Sequence, residues 1–245
     1  MKKIVICIIC TIMCLCSLSL PGYAEESQDI DYGQLSDAEK ELLDQYMQDN
    51  PEFELDTIPL SITSETYYFD EYGELISGKA RGTISSSSMT ITIYTGKFYD
   101  ATYDKIKVSA TATWNSAPVF RLKDAFAIAW GDNFAATYYS CSTYYQGVGW
   151  KTGQSSLVSA SPNAGIGYSV NVNLAQTLKK VTIQVDLQKV DSTGTANVVA
   201  SYAHSTLNIG GISIGFSSGE KVSISFSGSF GGKYDTMTKM TYFNY

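Results

Sequence analysis

One histidine, His204, serves the whole chain. Zinc sites draw on several His or Cys ligands, so a histidine-based metal centre is not expected, and no cofactor motif replaces it. Cysteine is as scarce where it would matter. Cys7, Cys10, Cys14 and Cys16 crowd the amino-terminal stretch, and only Cys141 lies beyond it. One cysteine closes no intramolecular disulfide, so the body is not a small stapled scaffold. Clustered Lys and Arg are missing too, which argues against nucleic acid as a partner. Apolar runs are short. The longest, Ile4 to Leu20, covers 17 positions, fewer than the roughly 20 that a membrane-spanning helix needs.

That run has another meaning. Lys2 and Lys3 precede it, and Gly22 and Ala24 follow at small-residue positions. Residues 1–24 are therefore expected to be a signal peptide, and the protein to be secreted and extracellular. Lipid attachment at Cys14 or Cys16 is disfavoured, because the bulky Met13 and Leu15 stand just before them. The chain ends Thr241 to Tyr245 without a hydrophobic tail, so release or retention by binding is expected.

Charge is distributed unevenly. Glu25 to Asp56 holds twelve acidic residues against Lys40, a net of −11, whereas Thr57 to Tyr245 is near neutral at +2. Residues 25–58 thus read as an acidic leader, with an extended tail to about Leu35. Ser36 and Glu39 have the spacing of a capping box. Ala38, Leu42, Leu43, Tyr46 and Met47 then recur at helical spacing until Asn50-Pro51. One short amphipathic helix over about 37–49 follows, whose apolar stripe must pack on the body or on a partner.

From Pro59 the period becomes two. Ile106, Val108, Ala110, Ala112 and Trp114 alternate with polar residues, as do Val181, Ile183, Val185 and Leu187, and Val222, Ile224 and Phe226. Alternation marks antiparallel strands with one buried and one wet face. Turn signals recur at Glu71–Gly73, Gly131–Asn133, Ser161–Asn163, Asp191–Gly194 and Gly210-Gly211. An all-β antiparallel β-sandwich of roughly ten strands over 59–245 is expected, preceded by the single helix.

The twelve residues from Tyr67 to Gly78 resemble one choline-binding, cell-wall-binding repeat. Tyr67, Tyr68, Phe69, Gly73, Leu75 and Gly78 match, and Lys79 stands where the closing Trp would be. Such families build each pocket between successive repeats. A single copy implies a β-hairpin here, not a choline site.

Catalytic constellations are thin. Ser213 and Ser217 each sit in G-x-S-x-G, but a strand follows where a nucleophile elbow needs a helix. His204 lies in a strand-like segment and reads as a hydrogen-bonded structural residue. Carboxylates of the body (Asp104, Asp124, Asp132, Asp186, Asp191, Glu220 and Asp235) fall mostly at turns or on wet faces, where they cap or solvate. Arg121 and Asp124 are expected to form an architectural ion pair. Calcium at Asp70, Glu71 and Glu74 is a weak option. Cys141 is expected to be buried and inert.

Aromatics carry the functional reading. Tyr138, Tyr139, Tyr144 and Tyr145 precede Trp150. On a strand, Tyr138 and Tyr144 share one face and Tyr139 and Tyr145 the other, and only one face enters a core. These five residues are the expected binding site of a non-catalytic interaction module. Its partner would be a carbohydrate, a cell-wall polymer or an extracellular protein. A membrane-active pore-forming-type β protein is the alternative, prompted by the Ser/Thr-rich alternation of Gly82 to Tyr94 and Val222 to Phe230. An enzyme of unidentified class is a further alternative.

Overall fold

The computed structural model describes residues 31–76, 87–99, 104–118, 120, 122–131, 133–151, 153–172, 176–190, 194–206, 211–219, 221–228 and 234–245. The expected signal peptide, most of the tail, Gly78, Lys79, Arg121, Asp132, Asp191, Gly210, Glu220 and Phe230 lie outside these residues, as does the first part, 82–86, of the stretch from Gly82 to Tyr94. The chain divides into two units, Met1–Asp31 and Tyr32–Tyr245. Only Asp31 of the first is described.

Helix α1 (Asp37–Asp49) begins as its sequence requires. The Ser36 hydroxyl accepts from the Glu39 amide, and the Glu39 carboxylate accepts from the Ser36 amide at 2.9 Å. Asp37 and Glu39 place negative charge at the positive end of the helix dipole. Asn50 closes the other end, its Nδ2 donating to the Tyr46 carbonyl at 2.7 Å.

Thirteen strands follow among the described residues, all paired antiparallel. The first sheet contains β1 (Thr57–Phe69), β2 (Ser87–Phe98), β3 (Lys105–Trp114), β5 (Phe134–Tyr145), β6 (Gly149–Lys151) and β9 (Leu178–Lys189), in the order β1-β2-β3-β9-β5-β6. The second contains β4 (Lys123–Trp130), β7 (Ser155–Ser161), β8 (Gly165–Asn171), β10 (Thr195–Ser205) and β13 (Tyr234–Asn244), in the order β13-β10-β4-β8-β7. Strands β11 (Ile212–Ser217) and β12 (Ser223–Gly228) form a separate hairpin. The fold is the expected all-β sandwich. Its strand number exceeds ten because pieces such as the three-residue β6 are too short to show a period.

The two sheets enclose one large core. Ile91, Val108, Ala110, Ile183 and Val185 of the first sheet share it with Phe126, Ile128, Val198 and Tyr202 of the second, and Trp114 and Trp130 are buried there too. Each large side chain so removed from water contributes about 1.5–3 kcal/mol.

Both outer faces are partly covered as well. Leu35, Leu43 and Tyr46 of the leader close over Ile62 and Tyr94, with Phe53 and Leu55 beside them. The apolar stripe of α1 therefore packs on the first sheet. On the opposite side, Ile214, Phe216, Ile224 and Phe226 of the hairpin lie on Ala125, Ala127 and Ala203 of the second sheet. That floor must be low. A Cβ at Gly165 would come within 2.3 Å of Phe216, and one at Gly167 within 2.5 Å of Ile214.

The turn after β1 fits the hairpin reading of the repeat-like stretch. Asp70 Oδ1 accepts from the Tyr72 and Glu74 amides at 2.9 Å, and Phe69 bridges to Leu75. Asp70 thus holds its own turn, and no metal-ligating cluster occurs among the described residues. The sandwich is closed at one edge by side chains. Tyr67 donates to the Thr238 carbonyl at 2.7 Å, and the Ser61 and Thr241 hydroxyls meet at 3.1 Å, joining β1 to β13 across the two sheets.

Candidate functional site

The outer face of the first sheet next to the leader is built row by row from its register. Each outward residue of β9 has a partner on β3 and another on β5. Lys107, Asp186 and Tyr138 form one row, and Ser109, Gln184 and Ser140 the next. Thr111, Thr182 and Ser142 follow, then Thr113, Lys180 and Tyr144, with Trp150 of β6 opposite Tyr144. Two rows made only of hydroxyl and amide side chains are therefore bounded by aromatics at both ends.

Tyr144 and Trp150 pack edge to face at 5.4 Å between ring centroids, and Lys180 Nζ sits 6.0 Å from the Tyr144 ring. The same ammonium donates to the Asp49 carbonyl and, at 2.8 Å, to Asn50 Oδ1. It ties the end of α1 to the sheet. Tyr46 reaches down from the helix, its hydroxyl sharing a hydrogen bond with Thr111 at 2.8 Å, and Thr111 in turn meets Thr182 at 3.0 Å. Burial raises the Tyr46 phenol above its ordinary value, against the pull of the Thr111 and Ser109 hydroxyls.

Between the leader and these rows runs a groove of about 340 Å³. Tyr46, Asn50, Glu52 and Phe53 line one side, and Trp150, Thr182 and Gln184 are among the residues on the other. A second cleft, of about 440 Å³, shares Tyr46 and Asn50 and includes Thr90, Thr113 and Lys180.

The five aromatics expected to bind separate into three situations. Tyr144 and Trp150 are together and half-buried, with Trp150 lining the groove. Tyr138, on the same face, is 54 % exposed. Tyr139 points to the inward side but stays 40 % exposed. Tyr145 is a correction. It is buried in the core and donates to the Asn171 carbonyl at 2.7 Å, so no ligand reaches it. Sequence reasoning misses leader residues 46–53 and Ser109, because only the folded chain brings them beside Trp150.

The catalytic candidates resolve differently. Ser213 and Ser217 lie in β11, paired with Ser227 and Ser223, with no elbow or following helix. Asp124 is no turn carboxylate. It is wholly buried, accepting from Tyr202 Oη at 2.8 Å and the Ser205 amide at 3.0 Å, with His204 Nδ1 at 3.0 Å from its Oδ2. Tyr202 is held well above the usual phenol range by burial and by the Asp124 charge, so it stays a donor. His204 is walled by Phe69 and Trp114. A His–Asp pair shut away from solvent organises a core and meets no substrate. Cys141 is half-buried, its thiol pushed up to about 11 by burial, and it forms no disulfide.

No family model and no curated protein matches the chain. Some solved structures resemble it distantly. The keratin-10-binding region domain of the pneumococcal serine-rich repeat protein PsrP is 11 % identical with a TM-score of 0.34, over 60 % of this chain and 88 % of that one. A collagen-binding domain from a Staphylococcus aureus adhesin is 9 % identical with a TM-score of 0.31, over 60 % and 95 %. A pore forming protein is 7 % identical with a TM-score of 0.36, over 77 % and 94 %. Likenesses this weak carry no argument about the ligand.

Proposed function

We propose that the protein is a secreted, non-catalytic binding module, and that its ligand lies on the outer face of the first sheet near β5 and β6. One observation supports this most. The Tyr144–Trp150 pair flanks rows of Ser, Thr and Gln side chains beside an open groove. Aromatic rings with hydroxyl and amide neighbours suit an extracellular carbohydrate or protein surface.

The test is co-sedimentation of the whole protein with purified cell wall and a panel of insoluble polysaccharides. A Tyr144→Ala/Trp150→Ala variant should lose retention while keeping its melting temperature. A Tyr138→Ala/Tyr139→Ala variant should keep most of it. Equal retention by the first variant and the parent would defeat this assignment of the face.

A membrane-active reading draws on a different observation. The β11–β12 hairpin pairs with neither sheet and is amphipathic, with Ile214, Phe216, Ile224 and Phe226 turned inward and serines between them. Strands of this length, however, reach only about 20 Å, short of the ~30 Å hydrocarbon layer. Dye release from phosphatidylcholine vesicles separates the two readings.

A further inference from the structure

We propose that the flank of the sandwich along β7 is where a second copy of the chain pairs edge to edge, so that the second sheets of two copies join across a twofold axis. This surface is separate from the face around Tyr144 and Trp150, and the inference does not depend on what that face binds.

The two flanks of the sandwich differ. At one, β1 and β13 are tied together by side chains. Those strands also carry Pro59, Glu65, Asp235 and Lys239, with Lys239 Nζ 3.6 Å from Glu65. Charges and prolines of this kind discourage a strand edge from adding another chain. The other flank is made by β5, β6 and β7. Ala136 of β5 donates to the Pro162 carbonyl at 2.7 Å, and the Cys141 thiol interacts with the Ser155 hydroxyl, which sets β7 beside β5. Neither β7 nor β5 contains a charged residue or a proline. Strand β7 is the last of its sheet: it pairs with β8 on one side, and no other described strand bonds to it.

Apolar surface collects at the same place. Tyr138 and Tyr139 of β5, Val148 of the turn into β6 and Leu157 of β7 are all exposed, Leu157 by 47 %. Leu157 stands opposite the core residue Tyr168 of β8 and so takes an inward position at the rim of the sandwich. A strand added to β7 lays its side chains against Leu157 and extends the antiparallel ladder by one member.

The residues of β7 indicate which strand fits. A twofold axis sets the same patch of two copies face to face, so any charge on the edge would meet its own kind. Strand β7 offers Ser156, Ser159 and Ala160, which are small, and Leu157, which is apolar. Two such strands approach to the ~4.8 Å spacing of a sheet without steric or electrostatic conflict. The net charge of −7 is no obstacle, because the acidic leader packs on the first sheet and β7 belongs to the second. Assembly stops at two, since β13, the far end of the same sheet, is bound to β1 and carries the charges that guard an edge. The dimer holds two copies of the Tyr144–Trp150 face, an arrangement that strengthens attachment to any repeating ligand.

The test is sedimentation equilibrium of the whole protein from micromolar to millimolar concentration. Its mass should rise towards twice that of one chain and level off there. Leu157→Lys and Ser156→Lys each set like charges against one another across the axis, and each should weaken the dimer about tenfold. Both positions are exposed, so the variants should melt with the parent at low concentration. Should Leu157→Lys fail to fold, Ser156→Lys decides. Tyr242→Lys, on the exposed side of β13, should dimerise as the parent does. A single-chain mass up to millimolar protein would overturn the inference. So would a dimer that Leu157→Lys and Ser156→Lys leave intact, or one that Tyr242→Lys abolishes. A mass that climbs beyond two chains would refute closed pairing. None of these outcomes bears on polysaccharide retention by the Tyr144–Trp150 face, so the two readings fail separately.

Discussion

Asp124 offers the most exacting test of the core. Three donors converge on a carboxylate with no solvent contact: Tyr202 Oη, the Ser205 amide and His204 Nδ1. Asp124→Ala leaves all three without their acceptor inside a packed interior. Deleting one partner of a buried pair costs about 3–5 kcal/mol. In a domain of this size each kcal/mol lowers the melting temperature by roughly 2–4 °C, so the midpoint should fall by about 6–20 °C. Asp124→Asn keeps one carbonyl acceptor and should lose less. Urea unfolding followed by tryptophan emission is a direct assay, because Trp114 and Trp130 are both buried in the same core. The slope of the transition should stay constant while its midpoint moves. A loss below about 1 kcal/mol for Asp124→Ala would refute the claim that these donors depend on the carboxylate.

Other consequences are as direct. Lys180→Ala removes the bonds to Asp49 and Asn50, and should speed cleavage by a glutamate-specific protease at Glu52 and Glu54 severalfold, with the sandwich left intact. Gly165→Val pushes a side chain into Phe216, already 2.3 Å from a Cβ there. It should cost about 1–3 kcal/mol and raise hydrogen exchange across 212–228 before either sheet. Cys141 should react slowly with a disulfide reagent at neutral pH and quickly in urea, since burial holds its thiol at about 11 against an ordinary 9.0. The folded thiol binds its proton more tightly than the unfolded one. Its stabilising contribution is therefore present below about pH 9 and lost as pH rises towards 11, which alkaline melts will show.

Some of this fold is legible because single residues dictate it locally. Ser36 and Glu39 set the helix start, and Ile106 to Trp114 or Val181 to Leu187 show a clean period of two that survives into paired strands. Alternation fails in β4, where Asp124 to Trp130 are all buried. The hairpin covers the outer face there, and no local rule announces a covering element nearly 90 positions downstream. Asp124 reads as a turn or wet-face carboxylate for the same reason, its histidine lying 80 positions away. Period alone pairs Tyr138 with Tyr144 and Tyr139 with Tyr145. Burial splits the second pair, Tyr145 lying in the core and Tyr139 40 % exposed, so the answer differs at the two ends of one strand. The groove is the least legible feature, since Phe53 and Trp150 become neighbours only when the leader docks.

The side-chain seam between β1 and β13 also bears on the order of folding. Tyr67 finds its carbonyl 171 positions away and Ser61 its hydroxyl partner 180 positions away. Those bonds form only once nearly the whole sandwich has been made. Until then β10 has an unpaired edge, and the two sheets lack the strand that joins them on that side. Loops of that length close slowly, so folding on the millisecond-to-second scale of non-local β topologies follows. A chain that locks only when β13 arrives stays pliable while it is being made, and acquires its rigidity late.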